Sequence, residues 1–469
     1  MILRRKGLKT EPRLILTGVL LFFLFLPCPV VLTAGLVETG ETAEYFVLEN
    51  GLKVFLLEKR NVPLVNVVAA VDLGSKDETP ETSGIVHVLE HYILFRGTEV
   101  RSGSDIGRDV RRHGAYFNAH TGNDLALFEI SVPANAADFA LNNQREILFR
   151  LKIEQDELDK EKEVILEELR QLEDDPFRYA TALAYQNLFH GHPYSNPLIG
   201  DAEVIKNLSA GKFSEFYRRY FIPANCALAV VGDFSIADMK DKVRAVFSEI
   251  QGESFPRAAI EPPAPPEKNL DLDVEMDVQK AYLLIAVQAP DFNSPDQYSM
   301  DVLTEILGRG INPLLYSALN QGQRRLVETL SMAYLTHRFG GALLVYCTLD
   351  PRNLNRVRRE AVGFLRKARE QNFSPEDVYG AQQMFIFDRL GSAKNHITYR
   401  AYRSQERGLS LAVSLAQFMI LSEGQAERKY LDNISRVTSG NLRKTAADYL
   451  SRANYVTVSI LPKKGGMNK

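Results

Sequence analysis

The sequence predicts an α+β fold of two homologous domains, each a mainly antiparallel sheet covered by helices, facing each other across a cleft. Three observations predict it. Strand-like and helix-like runs are mixed within each half of the chain. A proline-dense stretch, "SFPRAAIEPPAPPEKN" (254–269), separates the halves as an extended connector. Similar segments then close both halves: "YFIPANCALAVVG" from Tyr220 and "YLSRANYVTVSIL" from Tyr449 each read Tyr, an apolar residue, two more, Ala-Asn and a β-rich run. Such a match is expected of a duplicated domain.

The first residues are a different material. Arg4, Arg5, Lys6, Lys9 and Arg13 precede an apolar run from Leu14 to Leu32, then Thr33-Ala34-Gly35. Residues 1–34 read as a secretory signal, with an uncleaved anchor as the rival. The expected location is therefore periplasmic or secreted, with membrane contact only through this segment. The first domain is expected over 36–253 and its homologue over 270–464.

In the first domain "GLKVFLLEK", "VNVVAAVDLG" and "LALFEISVP" are rich in β-branched and apolar residues and read as strands. Helical patterns run from Glu81 to Phe95, over "ADFALNNQREILFRL", and from Gln155 to Leu172; one in the second domain runs from Asp296 to Leu307. The net charge of −3 over 469 residues gives no sign of a nucleic-acid partner. Cys226 and Cys347 sit in apolar, strand-like contexts in different halves, so buried free thiols are expected rather than a disulfide framework.

The chemistry concentrates in "GIVHVLEHYILFRGT" (84–98). His87 and His91 are four apart, so on a helix they differ by about 40° in direction and point to one side. Two such imidazoles can grip one Zn²⁺. Glu90 lies beside His91 and one turn from His87, where a carboxylate serves as general base toward water rather than as a ligand. This is the inverted zincin pattern H-x-x-E-H. The bland alternative is a core helix with two hydrogen-bonded histidines, but a carboxylate buried between them is costly without a cation.

A catalytic zinc needs a third protein ligand. In "DELDKEKEVILEELRQLEDDP" Glu161 and Glu168 are seven apart, sharing one face with Ile165 and Leu172, while Glu163 and Glu167 sit on a more charged face. This pattern alone also suits a charged surface helix.

"GSKDETPETSGIVHVLEHYILFRGTE", "GAYFNAHTGNDLALFEISVP", "EKEVILEELRQLEDDP" and "HPYSNPLIGDAEVI" together resemble the pitrilysin and mitochondrial-processing-peptidase family, above all its bacterial single-chain members. The resemblance implies a zinc endopeptidase with one Zn²⁺ per chain. It implies Glu168 as third ligand and Glu161 as its support. It further implies that "FNAHT" is an edge strand whose Asn118 and Ala119 meet an extended peptide substrate by strand addition.

One part of the pattern is missing. Active members of the family carry an Arg and a Tyr seven apart in the second domain. In "LLYSALNQGQRRLVETLSMAY" Asn320 and Val327 stand at those positions, and Arg324, Arg325 and Tyr334 have the wrong spacing. The family includes two-subunit enzymes in which one chain bears the zinc and the other the remaining substrate groups. The expected partner is thus a homologous chain or a second copy. The alternative is a non-catalytic or weakly active assembly subunit.

Overall fold

A computed structural model describes residues 42–463 apart from 311–312, 372, 374–388 and 423–429. Residues 1–34, which read as a secretory signal, lie outside the described residues, as does residue 464. No described helix is long and apolar enough to cross a membrane.

Six strands form the first sheet: β1 (Thr42–Val47), β2 (Lys53–Glu58), β3 (Leu64–Val71), β4 (Tyr116–Thr121), β5 (Ala126–Pro133) and β6 (Cys226–Gly232), in the order β1-β2-β6-β3-β5-β4. The second holds β7 (Leu270–Met276), β8 (Ala281–Ala289), β9 (Thr329–Thr336), β10 (Gly341–Leu349) and β11 (Val456–Pro462), in the order β7-β11-β8-β10-β9. Without β1 the two orders correspond strand for strand. Even the single parallel pair recurs, β2 with β6 and β7 with β11, among otherwise antiparallel neighbours. The similar segments read in the sequence are the entries to β6 and β11, so the duplication extends through the whole topology. Between the sheets, residues 251–266 have no regular structure.

Helices α1 (Ile85–Phe95), α2 (Gly103–Arg112), α3 (Ala137–Phe149), α4 (Gln155–Asp174), α5 (Pro176–Leu188), α6 (Ala202–Lys206), α7 (Ala210–Tyr220) and α8 (Ile236–Phe247) belong to the first half. The second half contributes α9 (Gln297–Thr304), α10 (Leu314–Leu319), α11 (Leu354–Arg366), α12 (Arg389–Glu406), α13 (Gly408–Leu421), α14 (Tyr430–Arg436) and α15 (Ser439–Ala446). Two expected boundaries shift. The run from Glu81 becomes helical only at Ile85, because Pro80–Thr82 forms a separate 3₁₀ turn and Gly84 takes a left-handed φ of 90°. There a Cβ would stand 2.7 Å from the Ile199 carbonyl oxygen, so only glycine fits. The run from Asp296 is α-helical to Thr304 and then widens into a π turn over Glu305–Arg309.

Each sheet is covered by helices of both halves, which the sequence did not reveal. On β3, Val65, Val67, Ala69 and Val71 point into a core shared with α1, α3 and α8 of the first half. The intervening Val68 and Ala70 point the other way, against Leu411, Ala412, Leu415 and Ala416 of α13. The exchange is reciprocal. On β8, Leu283, Ile285 and Val287 join the second half's own core. Leu284 and Ala286 pack against Ala180, Ala184 and Leu188 of α5 from the first half. Period-two strands buried on both faces explain why β3 and β8 read as nearly continuous apolar runs. Cys226 of β6 and Cys347 of β10 are free and buried, and burial pushes both thiols well up, Cys347 to about 12, far from a reactive thiolate.

Candidate metal centre

Helix α1 is fixed at its start by an acid outside it. The Glu78 carboxylate accepts the Gly84 N–H at 2.9 Å and the Val86 N–H at 3.0 Å, satisfying two donors that a helix N-terminus leaves open. At the other end the Tyr92 hydroxyl donates to the Lys152 carbonyl and accepts the Glu154 N–H, tying α1 to the entry of α4. Between these anchors, Ile85, Val88, Leu89 and Tyr92 are held in the first-half core.

That orientation turns His87 and His91 toward α4. Their rings lie 4.7 Å apart edge to face. Glu168 Oε2 stands 3.8 Å from His87 Nε2 and 3.5 Å from His91 Nε2. Ligand atoms of these three residues all lie within 4.8 Å of one another, the one His/Cys/Asp/Glu cluster of its kind among the described residues. Three ligands at tetrahedral angles and bonds of about 2.0–2.1 Å lie about 3.3–3.4 Å apart, so small side-chain shifts suffice to close on one zinc ion.

The polar atoms argue the same way. Beyond contacts of 3.5–3.8 Å among His87, His91, Glu161 and Glu168 themselves, both His87 nitrogens, His91 Nδ1 and Glu168 Oε2 are buried with no hydrogen-bond partner. A native interior rarely leaves so many orphans together unless an ion or water completes the set. Burial pushes the His87 imidazole below its ordinary value, which keeps it neutral, as a ligand must be. Burial pushes His91 down too, but Glu161 and Glu168 outweigh it and hold this imidazole up at about 9. Burial tends to raise Glu168, yet the neighbouring His91 keeps its carboxyl below the usual range. Without metal, a proton on His91 supplies the positive charge that these carboxylates require. The two-His, one-carboxylate set fits zinc with a position left open.

Glu161 lies on the same face of α4, 3.5 Å from His91 Nδ1. Its other oxygen meets Arg96 Nη2, and Arg96 Nη1 continues to Glu157 Oε2 at 2.9 Å. Glu161 is 2% exposed, a buried carboxylate held between Arg96 and His91. Glu163 and Glu167 are exposed, as their place on the charged face requires. Glu90 is buried on α1, adjacent to His91 and one turn from His87.

β4 is the outer strand of its sheet. Asn118 donates from Nδ2 to the Tyr116 hydroxyl at 3.0 Å, on the exposed side, while the Ala119 methyl is buried toward the core. His120 was not singled out from the sequence. Its Nε2 lies 3.4 Å from Glu129 Oε1 of β5; burial works to lower this imidazole, and Glu129, aided by Glu90, raises it on balance. Its partner nine residues away across the hairpin was the missed signal.

The second half carries no such cluster among its described residues. On the helix that takes the place of α1, Glu305 meets Arg400 Nη1 at 2.8 Å and also His396, both from α12. A guanidinium neutralises the buried acid there. Asn320 and Val327 do lie together, but Val327 is 2% exposed in the second core and Asn320 bonds to backbone. Tyr334 is buried with its hydroxyl on the Pro290 carbonyl at 2.7 Å, whereas Arg324 and Arg325 are exposed.

Comparison with known proteins agrees with this architecture. Residues 53–202 match the family described as insulinase (peptidase family M16), and residues 207–385 match the peptidase M16 inactive domain. An uncharacterized zinc protease of Bacillus subtilis is 24% identical over 64% of this chain and 72% of its own length. One from Rickettsia bellii is 24% identical over 78% and 86%. Bovine cytochrome b-c1 complex subunit 1 is 26% identical over 56% and 54%. Among solved structures, a protease from Helicobacter pylori superposes with a TM-score of 0.81 at 22% identity, covering 90% of this chain and 99% of that one. The two matched regions, together spanning most of the chain, establish that this protein belongs to peptidase family M16.

Proposed function

We propose that the chain is a zinc-dependent endopeptidase that hydrolyses extended peptides or unfolded segments, as the metal-bearing subunit of a two-chain enzyme. The observation that carries the proposal is the convergence of His87, His91 and Glu168, with their buried atoms otherwise unpaired and Glu90 beside them. Relatives named as zinc proteases support it.

A zinc ion held by His87, His91 and Glu168 supplies Lewis-acid chemistry, polarising a carbonyl and making water easier to deprotonate. The chain's own residues do the rest. Glu161 orients His91 through Nδ1. Glu90 takes the proton of the attacking water and returns it to the leaving amine. The outer edge of β4 offers backbone groups to an extended peptide, with Asn118 and Ala119 at the point of contact.

The two-chain form is favoured by Asn320 and Val327, which present no cation or hydroxyl to a substrate. A partner of the same family, or a second copy, would supply those groups. The apolar run in residues 1–34 supports export to a periplasmic or extracellular site. A second reading, an assembly subunit, draws support from the likeness to the bovine complex subunit. Zinc content and peptide cleavage, measured for the chain alone and with a homologue that carries the Arg and Tyr, test the proposal. One zinc per chain and cleavage that rises sharply on mixing are expected. Full activity of the isolated chain would contradict the two-chain form, and zinc-free, inactive mixtures would contradict the peptidase.

A further inference from the structure

We propose that Arg338, carried by the second half, is a positioning residue for the metal helix: through Asp72 and the 72–78 loop it fixes Glu78, which holds the first turn of α1. The inference rests on the metal reading above, but its geometry is independent of it.

Arg338 stands in the turn between β9 and β10, and this turn enters the first half. The Arg338 guanidinium donates from Nη1 to Asp72 Oδ2 at 3.1 Å and from Nη2 to the Ile420 carbonyl of α13 at 2.7 Å. Its backbone N–H donates to Asp124 Oδ2 at 2.9 Å. The next residue, Phe339, donates its N–H to the Tyr194 hydroxyl at 3.1 Å, and that hydroxyl donates to Asp124 Oδ1 at 2.7 Å. One turn of the second half is thereby fastened to two acids of the first.

These acids lead to the metal helix. Lys76 Nζ bridges Asp72 at 3.2 Å, Asp77 at 2.8 Å and the Asp124 carbonyl at 2.7 Å. Asp77 accepts the Gly74 N–H at 3.0 Å. Ser75 and Lys76 donate their N–H groups to the Gly122 and Asn123 carbonyls, just beyond the end of β4. Glu78 follows directly, and its carboxylate holds Gly84 and Val86. The same loop therefore sets both the first turn of α1 and the end of the edge strand. Arg257, in the connector between the halves, adds a contact to Asp77 at 3.0 Å.

The charges explain why Arg338 matters. Asp72, Asp77 and Asp124 face Lys76, Arg257 and Arg338, three against three, and Lys76 and Asp124 are buried. Removing Arg338 leaves the three carboxylates facing two cations and takes the 3.1 Å partner from Asp72, whose side chain is only 18% exposed, so the loop must relax to bring water to it. Movement of that loop reaches Glu78 and turns the imidazoles of α1 relative to Glu168. Outer partners of this kind tune a metal site without touching the metal.

Arg358 is a matched control. It is 14% exposed against 12% for Arg338, lies in the same half, and pairs with Asp273, but leads nowhere near α1. The test uses the full-length, metal-free chain, with Co²⁺ as a spectroscopic probe and hydrogen exchange over residues 84–91 as a readout that needs no metal. Arg338→Ala is expected to weaken Co²⁺ binding about tenfold and to speed exchange at 84–91. Arg338→Lys, which keeps the charge, should recover part of both and remains folded if the alanine variant does not. Arg358→Ala should leave both readouts unchanged. Wild-type binding and exchange in a folded Arg338 variant would overturn the proposal, as would equal effects from Arg358→Ala. A wild-type chain that takes up no Co²⁺ would instead contradict the metal reading, and exchange at 84–91 would still decide this one.

Discussion

The Asn320 side chain clasps the backbone of Val327: its carbonyl accepts the Val327 N–H at 3.1 Å and its amide donates to the Val327 carbonyl at 3.0 Å. The same oxygen accepts the Leu326 N–H at 2.9 Å. Where the family resemblance expects an Arg and a Tyr for substrate, this chain has a closed turn.

Replacing Asn320 with alanine strips three backbone groups of their partner at once. With Leu326 and Val327 buried, the expected cost is about 1–3 kcal/mol, read as a lower urea midpoint. Zinc content should not change. A variant as stable as wild type would show that the turn does not depend on this side chain.

Glu161→Gln keeps the shape of the α4 face but removes the charge behind His91. Zinc affinity should fall by about 10–100-fold while the fold is retained, as measured by competition with a chelator. Unchanged affinity would remove Glu161 from the site.

Burial raises the Glu78 carboxyl from 4.5 to about 8, although the Gly84 and Val86 N–H groups pull it the other way. In the folded chain it keeps its proton to higher pH than in the unfolded chain. Its contribution to stability is therefore full below 4.5 and is lost as pH rises toward about 8. Over that window Glu78→Gln should lessen the fall in stability of the metal-free chain by up to about 1.4 kcal/mol per pH unit. Urea unfolding at stepped pH checks this, and parallel profiles for variant and wild type would contradict it.

How much of this was legible in the sequence depended on the range of the interaction. His87 and His91 were readable as a pair because one helix turn sets their relation; two turns put Glu161 and Glu168 on one face, but that spacing also suits a surface helix, and only the family resemblance singled them out. The strands were readable from β-branched runs, and the duplication from "PANCALAVVG" and "RANYVTVSIL". Glu78 was not, because nothing in a short acidic loop shows which N–H groups it will meet. Arg338 was less so, with a partner 266 residues away. The α13 stretch "GLSLAVSLAQFMIL" announces burial by being apolar nearly all round, but not that it covers the sheet of the other half.

That exchange of helices has its own consequence. Residues 36–253 expressed alone would expose the face of the first sheet formed by Val68, Ala70, Leu127 and Val231. The fragment is expected to aggregate or self-associate on size-exclusion chromatography, and adding the second half should rescue it. A monomeric, well-folded fragment would show that the first half does not need α13.

Glu90→Gln separates metal binding from peptide hydrolysis, with zinc content and peptide turnover measured side by side on wild type and variant, each purified with any chain bound to it. The expected result is one zinc per chain in both and turnover lowered about 10²–10⁴-fold or more in the variant. A wild type without zinc, or a Glu90→Gln chain that cleaves at the wild-type rate, would contradict it.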